Sequence, residues 1–190
     1  MDNKNPVKIV HLILMVLMMA GTIGAAVRFI IELPNSPSSV ANIILMALVF
    51  IMLVTGAIHL LKQYSKQAAL YYKLFLILNV AVCLLTIFID NFYYASHALM
   101  ICISFLNGAK ILLLIYLAIG RDLGSKNTWM LFWLLIATDI IKLILAVFYL
   151  NKVGFDISLT GYITALISDG TIGLSIRGKY LDKISRNREI

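Results

Sequence analysis

Residues 40–61 read VANIILMALVFIMLVTGAIHLL, an apolar run without a single Asp, Glu, Lys or Arg. A helix needs about 20 such residues to cross the ~30 Å hydrocarbon core of a bilayer, so this stretch is long enough to span one. On one side it is bounded by Pro34, Asn35, Ser36, Pro37, Ser38 and Ser39, a turn-forming set that interrupts a helix. On the other side stand Lys62, Gln63, Tyr64, Ser65, Lys66 and Gln67. The same alternation recurs along the chain. Further apolar runs cover 9–31, 71–89, 97–119, 128–150 and 157–176, with polar breaks at 120–127 and 151–156. Connections this short make successive helices antiparallel neighbours. The reading is all-α: a polytopic membrane protein with a single six-helix transmembrane domain over 1–176 and a basic tail over 177–190.

Composition supports it. Of 190 residues, 62% are hydrophobic and 13% charged, whereas soluble domains run near ~45–50% and ~25%. One soluble core could not hide so much apolar surface, so the large soluble enzyme classes are excluded.

Basic residues set the expected orientation, because cytoplasmic loops carry an excess of Lys and Arg. Lys4, Lys8, Lys62, Lys66, Lys73, Arg121, Lys126, Arg177, Lys179, Lys183, Arg186 and Arg188 fall on one side, and only Arg28 and Lys152 on the other. Both termini are therefore expected in the cytoplasm, and the expected location is the cell membrane. The asymmetry also accounts for the net charge of +7 without nucleic acid, for which no binding motif is present. Aromatics fall near both expected interfaces: Tyr64, Tyr71, Tyr72, Trp129 and Trp133 inside, Phe92, Tyr93, Tyr94, Phe148 and Tyr149 outside. The first apolar run, although followed by the small residues Gly24, Ala25 and Ala26, is longer than a signal-peptide core and reads as a retained span.

Residues that lipid tolerates poorly concentrate in the second half. Span four carries Asn107 and Lys110, span five Asp139 and Lys142, and span six Ser168 and Asp169; Asn79 lies at comparable depth in span three. The pairs 107/110 and 139/142 are spaced i, i+3 and so share a helix face. Lys110 lies about nine residues, or ~13 Å, from the cytoplasmic end, too deep for comfortable snorkelling. On the insertion scale Asp139 plus Lys142 costs roughly 5–7 kcal/mol, while the apolar residues of that span supply roughly 4–8. Span five is near break-even alone and should settle only against helices that satisfy its charges. Two lysines balance two aspartates, which points to a buried ionic cluster among spans four to six with Asn107, Ser168 and Asn79 as hydrogen-bond partners. Intramembrane charges are by default a functional site; the plainer reading is that buried pairs fix helix register.

Gly161, Ala165, Asp169 and Gly173 recur every fourth residue, and Ala20, Gly21, Gly24 and Ala25 give span one a similar small face leading to Arg28 and Glu32. Such faces let helices approach closely, within the chain or toward a partner subunit or second copy. His11 and His59 lie near the cytoplasmic side of neighbouring spans and read as packing residues. In the tail, Tyr180, Leu181 and Ile184 interleave with basic residues and could lie on anionic lipid. Cys83 and Cys102 both fall in spans, and no Cys/His spacing suggests a metal; no cofactor is implied.

Three functions compete, with a carrier, or the membrane substrate-binding subunit of one, as the leading expectation and an accessory protein as the alternative. A small-solute or ion carrier would exchange an internal ion pair for a polar solute, or carry a proton on Asp139 or Asp169, and needs a cavity beside Lys110 and Asp139. Six helices, inside termini and this length resemble the substrate-binding subunits of energy-coupling-factor vitamin transporters in architecture. No inverted repeat is visible, since polar residues crowd the second half. A non-catalytic accessory or assembly protein needs only the packing faces and a dry, structural cluster. An intramembrane enzyme fits least. Asp139 and Asp169 invite comparison with membrane aspartyl proteases, but Leu166, Ile167 and Ser168 replace the GxGD motif before Asp169. Asp169, Gly170, Arg177, Gly178 and Asp182 resemble fragments of the CDP-alcohol phosphatidyltransferase pattern, with different arginine spacing and two of its four acids missing.

Overall fold

The computed structural model describes residues 6–31, 37–63, 65–94, 98–120, 125–153 and 159–188, without the side chains of 28–29, 37–39, 91–94, 149–153, 159–160 and 180–188. Six helices follow one another: α1 (Pro6–Ile31), α2 (Pro37–Leu61), α3 (Ala68–Tyr94), α4 (Ala98–Ile119), α5 (Lys126–Val153) and α6 (Leu159–Arg188). Five of them, α1 to α5, are long and apolar enough to cross a membrane.

The ends of the helices have local causes. Pro6 and Pro37 open α1 and α2, where a missing N–H is harmless and the fixed φ already suits a helix. Pro37, Ser38 and Ser39 therefore begin a helix, where the sequence reading placed them in the turn; the rest of that turn, 32–36 with Glu32, lies outside the described residues. Ser125 caps α5: its hydroxyl accepts from the Thr128 amide at 3.2 Å and bonds the Thr128 hydroxyl at 2.9 Å. The 62–67 break is a tight turn in which the Ser65 amide donates to Lys62 and the Ala68 amide to Ser65. Helices α5 and α6 overrun their expected ends. Asn151 and Lys152 lie within α5, and α6 continues unbroken through the tail to Arg188. The described residues do not include Tyr64 or Arg121, nor the side chains of Arg28, Phe92, Tyr93, Tyr94, Tyr149, Lys152, Tyr180, Leu181, Lys183, Ile184, Arg186 and Arg188.

Each helix packs on the next, and α1 and α2 also meet α6. The burial pattern is that of a protein in lipid. Phe105, Ile119 and Leu112 stand largely exposed, while Met15, Leu53, Phe75, Leu76, Leu114, Leu135, Ile172 and Ile176 fill the core. α6 is the least apolar helix and falls short of the span criterion met by the other five. Its polar residues Thr164, Ser168, Asp169, Thr171 and Ser175 are all buried. A helix sheltered by α1, α2 and α5 has little lipid to satisfy, so it can hold hydroxyls and a carboxylate where an outer helix would hold leucine. Tyr72 departs from the interfacial role expected of it: it is buried, with its ring 5.2 Å from that of His59.

Candidate functional site

The four charges singled out in the second half of the sequence meet. Lys110 of α4 donates to Asp139 Oδ2 of α5 at 2.5 Å and to Asp169 Oδ2 of α6 at 3.0 Å, with Asp169 Oδ1 at 2.9 Å. Lys142, one turn along α5, pairs with Asp139 Oδ1 and donates to Asn107 Oδ1 of α4 at 2.9 Å. The i, i+3 spacing within α4 and within α5 aims both pairs at the same seam. The result is a continuous chain, Asn107–Lys142–Asp139–Lys110–Asp169, whose formal charges cancel. Lys110 is the only member that ties α4 to both α5 and α6.

Burial decides what this arrangement is worth. Lys110 and Asp139 are each 1% exposed and Asp169 is 0%, so solvent screens none of the pairing. The two carboxylates share the Lys110 ammonium. Asp139 Oδ1 and Asp169 Oδ1 each have an ammonium at ion-pair distance but no hydrogen bond of good alignment.

Ser168 and Asn79 form a separate tie beside the cluster. The Ser168 hydroxyl donates to Asn79 Oδ1 at 2.7 Å, and Asn79 Nδ2 donates to the Phe75 carbonyl at 2.9 Å. This joins α6 to α3. Ser168→Ala is expected to cost about 1 kcal/mol in thermal or chemical unfolding, since interhelical bonds in membranes average ~0.6 and reach ~1.7 kcal/mol. That is well below the cost expected for the ion cluster.

Sequence reasoning did not anticipate the second contact line of α6. His59 Nδ1, as a donor, bonds the Ala68 carbonyl at 3.0 Å, and its Nε2 meets the Ser175 hydroxyl at 2.6 Å. The hydroxyl residues 164, 168, 171 and 175 recur at three- and four-residue intervals, a periodicity that would have revealed this buried face. The small-residue faces are corrected in detail. A Cβ on Gly21, Gly24 or Gly161 would meet nothing within 4 Å, so among the described residues no other helix comes close to these glycines. Ala25 and Ala165 are partly exposed. Of the stripe, Gly173 does approach closely, against the Phe132 ring; close approach also occurs at Gly170 against His11, and at Gly56 against Met15 and Phe75. Two helices that cross approach closely only near the crossing point, so a stripe along the whole of α6 is used only in part.

A cavity of about 340 Å³ lies between α3 and α4, lined by Lys73, Ile77, Val80, Ile115, Ala118 and Ile119 and by no member of the cluster. Among the described residues, no three His, Cys, Asp or Glu side chains group as metal ligands. Compared with known protein families, with curated proteins and with solved structures, the chain finds no match.

Proposed function

We propose that this is a six-span, non-catalytic accessory or assembly protein of the cell membrane, whose buried ion pairs lock its helices together. The carrying observation is that Lys110, Asp139, Lys142 and Asp169 satisfy one another while almost fully buried. None of the four charged residues lines the cavity described above. In this reading α6 is the sixth span: its 30 residues exceed a bilayer crossing, and its neighbours shelter its polar groups. Both termini lie in the cytoplasm, in keeping with the clustering of lysine and arginine on one side. Neither carboxylate takes a catalytic role, since each is held against a lysine.

A second reading, a small-solute or ion carrier caught closed, is favoured by the poorly aligned Oδ1 atoms of Asp139 and Asp169, which could accept a proton or a small cation.

Asp139→Asn and Asp169→Asn separate the two readings. If the cluster is structural, both lower the stability of the detergent-solubilised protein by several kcal/mol, because each leaves a buried ammonium short of a partner (about 3–5 kcal/mol for a broken buried pair). Groups kept for transport sit at a cost to the fold, so stability unchanged or raised in both variants overturns the structural reading. Flux into proteoliposomes would then be the next measurement.

A further inference from the structure

The α3–α4 cavity has one polar element in an otherwise aliphatic lining. Lys73 lies near the start of α3, Ile119 ends α4, and the two chain directions bring these to the same end of the bundle. From Lys73 to Val80 the groove descends seven residues of α3, roughly 10 Å at 1.5 Å per residue. That is about two-thirds of one leaflet of a ~30 Å hydrocarbon core. Ile77 and Ile115 face outward, 58% and 40% exposed, so the groove opens sideways toward lipid. Lys62, by contrast, is engaged over the Tyr71 ring, whereas Lys73 has no carboxylate partner among the described residues.

We propose that this groove is a binding site for an anionic phospholipid. One acyl chain lies along Ile77, Val80 and Ile115, and the headgroup phosphate meets the Lys73 ammonium. The groove supplies apolar contact to any phospholipid, and the lysine supplies the preference for negative charge. The proposal rests on the chain lying in a membrane, and not on either reading of the ion cluster.

The test is native mass spectrometry of the delipidated protein with equimolar phosphatidylglycerol and phosphatidylcholine. One basic residue near a headgroup corresponds to about a fivefold preference. The parent is expected to retain phosphatidylglycerol by about that ratio. Lys73→Gln is expected to bring the ratio to one while both lipids still bind. Ile77→Trp, which fills the groove, is expected to reduce retention of both. Lys66→Gln, at the same end but outside the groove, is expected to leave the ratio unchanged. Both Lys73 and Ile77 are exposed, so these variants should keep the parent melting temperature. An equal ratio in the parent, a parent-like ratio in Lys73→Gln, or undiminished retention in Ile77→Trp would overturn the proposal.

Discussion

Lys110→Met is expected to cost about 3–5 kcal/mol of stability, on a par with Asp139→Asn and Asp169→Asn. Methionine keeps most of the side-chain volume, so the change isolates the ammonium. Its loss leaves Asp139 with Lys142 but strips Asp169 of its only ion-pair partner among the described residues. It also leaves two buried carboxylates without the ammonium that they share. Helices separated in lipid find other polar partners, which lowers the measured cost toward the bottom of that range. Chemical unfolding in mixed micelles reads the effect directly.

Gly173→Leu is expected to destabilise by about 1–3 kcal/mol, the usual cost of overpacking a filled core. Any side chain at position 173 runs into the Phe132 ring. That ring has little room to yield, because it packs at a tilt against Trp129 and Trp133 at centroid distances of 5.4 and 5.6 Å. The same α6 stripe provides the control. Gly161→Ala meets nothing and is expected to raise stability by roughly 0.5–1 kcal/mol through helix propensity alone. Melting temperatures moving in opposite directions would establish that α5 contacts α6 at Gly173 and not at Gly161. A common direction would contradict the placement.

The helices were legible because lipid imposes a strict length on apolar runs, and 40–61 or 97–119 can satisfy it in only one way. The site residues were legible for the related reason that charge in lipid is expensive, so Lys110, Asp139, Lys142 and Asp169 stand out from their surroundings. Their pairing was not legible. Spacing places Asp139 and Lys142 on one face of α5, but which lysine reaches Asp169 depends on the rotation and depth of α4 against α6, which no local pattern encodes. The central position of α6 was hidden as well. Its hydroxyls weaken its apolar signal, and only the helices around it show why it can afford them. Of the small-residue positions, Gly173 is a close approach and Gly21, Gly24 and Gly161 are open, for a geometric reason: a four-residue stripe marks a face, whereas the crossing point of two helices selects one or two positions on it.

The central claim is that a single ammonium, that of Lys110, clamps α4 to both α5 and α6. It is tested most directly by a double-mutant cycle of Lys110→Met with Asp169→Asn, read by unfolding free energy in mixed micelles. Removing both groups leaves Asp139 paired with Lys142 and the remaining charge balanced. The double variant is therefore predicted to be more stable than Lys110→Met alone, with a coupling in the ~0.5–3 kcal/mol range of groups in contact. Strict additivity, with the double variant less stable than either single one, would contradict the clamp.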